Sequence, residues 1–553
     1  MKKNELIFCP LGGSGEIGMN MNLYAYGTED NQKWIIIDMG VTFADDSVPG
    51  VDLIFPDTGF IEEKKNDLLG IVLTHAHEDH IGAVSHIWPN LRCKIYATPF
   101  TAALIYEKFK EKKIDITSYL KIVPLNSKIK LGDFEIDFIT LTHSILEPNG
   151  LSITTPLGTI LHTGDWKIDP NPLIGGTIDE DKLKSIGEKG VSAMICDSTN
   201  IFNPGRAGSE SEVRDNLLKI MEIKSKKILV TSFASNVARM EAIFYCAKKT
   251  GRSISLVGRS MNRIYKAAKK CGYLKGLIEP LDPRETRNIS RDKIIYLATG
   301  SQGEPMGAMT RIINGTHPDV FLESGDCVIF SSKIIPGNEK RLYKLQNQIV
   351  KSDIEVISEE NAFVHVSGHP NREDLKDMYN WVKPKCVIPV HGEHRHIIEH
   401  VAFAKEMQVP KTLQIENGDI IRILPGSSPQ IIDKAPAGKI YLDGIQSVEM
   451  DSQSIKERKN LSLNGYLEIT LIVSNNGKIK KPVISYKGIP TLEEKENFVF
   501  DMEDEIFKIC KTFSLQSKNQ EKNLIETIKQ NCRRIIKDRT GKKPFTNINI
   551  ARI

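Results

Sequence analysis

The chain has 553 residues, 40% of them hydrophobic, and a formal net charge of only +4. That length exceeds one ordinary domain and predicts two or three, the composition excludes wholesale disorder, and the small charge means that any nucleic-acid surface has to be local. Nine scattered cysteines with no C-x-x-C pair exclude a disulfide framework and a zinc ribbon, and they point to a reducing compartment.

Met1-Lys2-Lys3 runs straight into the strand-like Glu5–Cys9, with no apolar signal core before Gly12 and no later run of about 18 apolar residues. A soluble, cytoplasmic protein without a membrane segment is expected. Up to about residue 200 the chain consists of short β-rich runs closed by Gly, Pro, Asn and Asp: Trp34–Asp38, Leu69–Thr74, Glu135–Thr140, Thr159–Leu161 and Ala193–Asp197. With helical stretches between them, these describe a layered α/β domain. From about Gly205, helical segments Ser211–Glu222 and Val237–Lys249 alternate with the buried-looking strands Lys227–Thr231, Ser253–Val257 and Ile294–Ala298. That alternation predicts β-α-β units and a parallel sheet.

Near residue 360 the strand-rich style returns with Ala362–Val366 and Cys386–Val390, so the middle block reads as an insertion into the first domain. Beyond Gly438 a third unit begins: strands Tyr466–Val473 and Ile479–Tyr486 around a turn at Asn475–Gly477, charged helices at about 492–513 and 518–537, and a last strand Phe545–Ile550. The expected domains are therefore 1–205, 206–360, 361–438 as the return of the first, and 439–553. The last carries 21 lysines and arginines against 15 aspartates and glutamates, a bias that either a solvated helix face or RNA contact explains.

Gly13-Ser-Gly15-Glu-Ile-Gly18 satisfies G-x-G-x-x-G, with Asp38 twenty residues on. A dinucleotide site needs the last glycine to open a helix, whereas Met19–Tyr26 and Gly27–Asn31 read as strand and turn. The nicotinamide and flavin readings fail on that context.

The strongest signal is His75-Ala-His77-Glu-Asp79-His80, placed directly after the apolar Ile71–Leu73 and before the helix-like Gly82–Ile87. A strand end followed by a loop splays neighbouring side chains, so His75 and His77 can face one ion while Asp79 and His80 face another. Imidazole and carboxylate suit borderline ions, zinc or manganese. Four more polar residues end apolar runs: Asp38, His143, Asp165 and His391. Individually each could cap a turn or serve as scaffolding; together they complete two sets of ligands.

H-x-H-x-D-H with downstream His, Asp and His resembles the metallo-β-lactamase superfamily, an αββα sandwich holding metals at one edge. That resemblance implies His75, His77 and His143 around the first of two divalent ions, Asp79, His80 and His391 around the second, and Asp165 between them, with Asp38 orienting a ligand from behind. Further stretches resemble ribonuclease J: Leu11–Gly18, Thr74–Gly82, Asp197–Asn200, His365–His369, Pro389–Glu393 and Glu416–Asp419. The fold implied is α/β: the sandwich, an inserted β-CASP domain at about 205–360, and a small α+β C-terminal domain. Met19, where a basic residue is expected, and Asp197, where glutamate is common, depart from the pattern without threatening it.

The activity implied is metal-dependent hydrolysis of single-stranded RNA, mainly 5′-to-3′ with endonucleolytic cleavage as a secondary mode, in RNA maturation and decay. Asp79, Asp197 and His369 are the expected catalytic residues. His365, Val366, Ser367, Gly368 and His369 are expected to hold phosphate after a strand, and Ser232, Phe233, Ala234 and Ser235 to hold phosphate at a helix start. For the second loop, a plain helix cap by Ser235 or Asn236 is the competing reading. The resemblance also implies a homodimer or homotetramer and protein partners in RNA decay. A small-molecule metallohydrolase, an inert RNA-binding scaffold and a DNA-directed nuclease are the rival readings.

Overall fold

A computed structural model of the chain describes residues 3–45, 47–474, 479–490, 496–513 and 518–553. Two sheets face each other in the first unit. One runs in the order 430–434, 419–423, 5–12, 21–28, 31–37, 68–72, 95–97, 120–122; the other in the order 128–131, 134–140, 149–155, 158–162, 193–197, 386–390, 411–412. Alternation along the strands sends Leu6, Phe8, Tyr24, Ile35 and Ile37 from one sheet against Ile136, Phe138, Leu151, Ile153 and Ile388 from the other. Each such side chain contributes about 1.5–3 kcal/mol when fully buried.

The outer face of the second sheet, with Leu161, Met194 and Val387, packs on helices Glu180–Lys189, Arg372–Val382 and His394–Glu406 through Leu183, Leu375, Met378 and Phe403. Helices Val84–Leu91 and Pro99–Glu111 carry the outer layer beside the first sheet, their Trp88 and Phe109 rings 5.4 Å apart. This is the expected αββα sandwich.

Strands Ala193–Asp197 and Cys386–Val390 are parallel neighbours although a whole further sheet lies between them in sequence. That sheet is entirely parallel, ordered 253–257, 294–298, 228–231, 327–330, 355–357. Its core joins Leu229, Tyr296, Val328 and Phe330 to Met309, Leu342, Leu345 and Ile349. The expected helix Val237–Lys249 and strands Ser253–Val257 and Ile294–Ala298 appear with those bounds.

Ala362–Val366 is not a strand. The segment is irregular, and its carbonyls are taken by side chains: Asn216 donates to Phe363 and both Arg239 and Ser331 donate to Val364. Side-chain donors replace the ladder that the apolar alternation suggested.

The second unit comprises Phe43–Ile54 and Lys439–Ile553. Placing all of 1–205 in the first domain is thus corrected: the short strands around residues 43 and 53 share a sheet with 439–443 and 446–449. Its other sheet sets Tyr466–Val473 between Val483–Lys487 and, in parallel, Phe545–Arg552. Leu467, Ile469 and Leu471 meet Met502, Ile506, Leu524, Ile528 and Ile536 of the two helices. The expected turn at Asn475–Gly477 lies outside the described residues.

All nine cysteines are free, and Cys9, Cys196, Cys246, Cys327, Cys386, Cys510 and Cys532 are buried. No helix among the described residues is long and apolar enough to cross a membrane.

Candidate metal centre

Strands 31–37, 68–72, 134–140, 158–162, 193–197 and 386–390 all deliver their C-terminal ends to one rim of the sandwich. There the chain must leave the ladder, so backbone geometry becomes irregular: Met19, Asp38 and His391 sit at φ of 53°, 62° and 52°. Holding a residue with a side chain in this left-handed region costs about 1 kcal/mol or more.

At this rim His75, His77, His143 and Asp165 form one group of converging donor atoms; Asp79, His80, Asp165 and His391 form a second; Asp165, Asp197 and His369 form a third. His77 Nδ1 lies 3.2 Å from His75 Nε2 and 3.0 Å from His143 Nε2. Asp165 Oδ2 lies 3.2 Å from His80 Nε2 and 3.6 Å from His391 Nε2. Donors on a tetrahedral shell with metal–nitrogen bonds of about 2.0–2.1 Å stand roughly 3.3 Å apart, so the imidazole spacing fits a divalent cation.

For four of the five rings, a partner on the far side fixes which nitrogen faces inward. His80 Nδ1 pairs with Asp38 Oδ2 at 2.7 Å, His391 Nδ1 with Asn20 Oδ1 at 2.9 Å, His75 Nδ1 with Thr74 Oγ1 at 3.0 Å, and His143 Nδ1 with the Gly368 carbonyl. Such partners orient ligating rings and set their tautomers. Thr74 is itself held by Asp38, through its N–H at 2.8 Å and its hydroxyl at 2.7 Å.

Burial lowers the pKa of His75 and His143 well below the usual value and that of His77 to about 4, keeping all three in the neutral form that offers a lone pair. Around His80 burial opposes charge, but Asp165, Asp79 and Asp38 outweigh it and raise its pKa. Burial likewise opposes charge on His369; Asp197, 2.7 Å from Nδ1, reverses the balance and raises it to about 9. The carboxylates make this a place for positive charge.

Models of four families match the chain: a Beta-lactamase superfamily domain over residues 33–180, the Ribonuclease J beta-CASP domain over 225–349, a Zn-dependent metallo-hydrolase RNA specificity domain over 339–412, and the Ribonuclease J C-terminal domain over 453–553. Ribonuclease J of Sinorhizobium meliloti is 37% identical across 99% of this chain and 98% of its own length. Ribonuclease J 1 of Streptococcus pyogenes is 35% identical, covering 94% of each, and Ribonuclease J of Corynebacterium glutamicum 33% identical over 98% of this chain and 75% of its own length. The chain belongs to the ribonuclease J family.

Family membership makes the chain a metal-dependent hydrolase with a nuclease role, and its specificity domain is RNA-binding. The seven His and Asp residues expected to bind metal converge at the rim, with Asp38 behind His80. Asn20 and Asn200 were not foreseen. Asn20 spans both sides of the second group, and Asn200 Nδ2 donates to Ser367 Oγ at 2.7 Å and to the His369 carbonyl at 3.1 Å, holding that loop in place. Among the described residues His365 Nδ1 is buried with no hydrogen-bond partner, as a ligand-facing atom would be.

In the inserted domain, Asn236 rather than Ser235 caps helix Val237–Lys249, accepting from the Arg239 N–H. Ser232 is buried and Ser235 partly so. Fully buried Arg239 binds Glu210 through Nε at 2.9 Å and Nη2 at 3.0 Å, and spends Nη1 on Ser331 and on the Val364 carbonyl. Beside it Lys167 lies 3.4 Å from Asp169, whose oxygens accept from Ser209 Oγ and Glu210 N–H. This junction cluster therefore grips the chain where it enters the inserted domain and where it returns.

Proposed function

We propose that this protein hydrolyses single-stranded RNA mainly from the 5′ end, with endonucleolytic cleavage by the same site, using two divalent ions, zinc or manganese. The observation that carries this reading is Asp165, shared by two groups of inward-facing donors at one sheet rim. His75, His77 and His143 would hold one ion, Asp79, His80 and His391 the other, and Asp165 both. Bound there, the ions would activate a water and offset charge on the phosphodiester.

The chain's own groups do the rest. Asp197 orients His369 through Nδ1, leaving the other nitrogen to protonate the departing oxygen. His365, Val366, Ser367, Gly368 and His369 form one phosphate cradle, supported by Asn200 and by the unpartnered His365 Nδ1. Ser232, Phe233, Ala234 and Ser235, at the start of a helix of the inserted domain, form the other, suited to a 5′ monophosphate. Residues 206–360 close over the rim, and 439–553 carry assembly into a homodimer or homotetramer and contacts to RNA-decay proteins in the cytoplasm.

The test follows 5′-labelled monophosphorylated and triphosphorylated single-stranded RNA, with zinc or manganese, for the unchanged chain and for Asp79→Ala with His80→Ala. Mononucleotide release by the unchanged chain alone, faster on monophosphate ends, is the expected result. Equal activity in both proteins defeats the site assignment, and no activity in either turns the reading toward a scaffold or a small-molecule hydrolase.

A further inference from the structure

Glu147 lies four residues beyond His143, buried to 8% exposure, at a left-handed φ of 55°. Its two carboxylate oxygens reach different elements. Oε2 accepts from the Phe100 N–H at 2.7 Å, in the first turn of helix Pro99–Glu111, whose own Thr98 makes no side-chain cap bond. A carboxylate at a helix start is favoured both by the free N–H groups and by the helix dipole. Oε1 accepts from the Tyr273 hydroxyl at 2.9 Å, and Tyr273 belongs to the inserted domain.

Tyr273 is held rigidly. It follows helix Arg259–Lys270, its N–H bonded back to the Ala268 carbonyl between Gly272 at φ 89° and Leu274 at φ 57°. The same helix meets Pro99–Glu111 directly, through Arg263 and Glu111 at 3.0 Å. From Glu147 the chain leads to the metal centre in both directions. Backward lies His143, its loop closed by the Leu141 N–H on the Pro148 carbonyl. Forward lies Asn149, whose Nδ2 donates to the Glu147 carbonyl at 2.6 Å and to the Thr74 carbonyl at 3.1 Å. Thr74 in turn touches Asp38 and His75.

We propose that Glu147 is a positioning residue that couples the seating of the inserted domain to the geometry of the metal centre, with the Tyr273 hydroxyl as the inserted domain's hold on it. The inserted domain thereby tunes the metal site from behind the ligands. This rests on the reading of His143 as a metal ligand.

Zinc is titrated against a chromophoric chelator into the metal-stripped full chain, for Tyr273→Phe, Glu147→Gln, the double variant and His143→Ala, alongside melting temperature and kcat on monophosphorylated RNA. Expected are zinc affinities about tenfold weaker for Glu147→Gln, as for other groups behind a ligand. Tyr273→Phe, which deletes one hydrogen bond, is expected to weaken zinc binding about three- to tenfold. The kcat falls in parallel, and the double variant is no worse than Glu147→Gln, because both act through one bond. Variants that melt earlier yet keep zinc affinity and kcat, or whose effects add, overturn the proposal. If His143→Ala abolishes zinc binding in that case, only the coupling falls; if His143→Ala binds zinc normally, the ligand assignment itself falls.

Discussion

The metal centre and the junction cluster are both buried and both built of titratable side chains, yet they are opposites. At the junction the chain supplies every partner: the Arg239 guanidinium meets Glu210, Ser331 and Val364, and Asp169 meets Lys167, Ser209 and Glu210. At the centre, imidazole nitrogens face one another at 3.0–3.2 Å, with the outer nitrogens of His75 and His143 already bound. The first cluster is complete in itself; the second has the donor set of a divalent-cation site. A buried polar cluster reveals a ligand through lone pairs left facing each other, and its charge or burial alone does not.

Substitutions at three positions sharpen this contrast, the largest effect first. His369→Ala removes the proposed proton donor while leaving intact the two groups proposed as ligands, so kcat on RNA is expected to drop about 10²–10⁴-fold with zinc affinity retained. Loss of zinc binding instead would make His369 a ligand.

Glu210→Ala strands the Arg239 charge, and denaturant titration is expected to show about 3–5 kcal/mol lost. Zinc affinity of the folded fraction stays unchanged. This effect is pH-dependent. Burial opposes charge on Glu210, but Arg239 and Lys167 prevail and lower its pKa. A carboxylate with a lowered folded pKa stabilises fully above its unfolded value of about 4.5 and loses that contribution as pH falls through the lowered one. The stability gap between the unchanged chain and Glu210→Gln is therefore expected to narrow as the pH falls below about 4.5. A gap independent of pH would remove the ion pair from the account.

Asp38→Asn, the mildest change, frees the back of His80 and is expected to weaken zinc binding about 10–100-fold. An unaltered affinity would leave Asp38 as scaffold alone.

The centre was legible because three histidines and an aspartate crowd into residues 75–80 at a strand end, and because Asp165 and His391 end apolar runs of their own. Asp38, which sits behind His80, was legible too, but the other orienting residues were not. Asn20 meets His391 across 371 positions, and Arg239 meets Val364 across 125, so nothing local marks either. Apolar alternation in Ala362–Val366 imitated a strand because Val364 and Val366 are buried, but it does not reveal that Asn216, Arg239 and Ser331 take its carbonyls. Phe43–Ile54 sits inside a stretch with the composition of the first domain, and strand pairing with a segment some 400 residues away leaves no mark in composition.

The free cysteines turn the molecule into its own clock. Burial pushes the thiols of Cys9, Cys246, Cys327, Cys386 and Cys532 up to about 12, so alkylating reagents find almost no thiolate in the native protein. Cys9 and Cys386 report on the two sheets of the sandwich, Cys327 on the parallel sheet, and Cys532 on the C-terminal helices. The order in which iodoacetamide marks them under mild denaturant thus reads out which layer opens first.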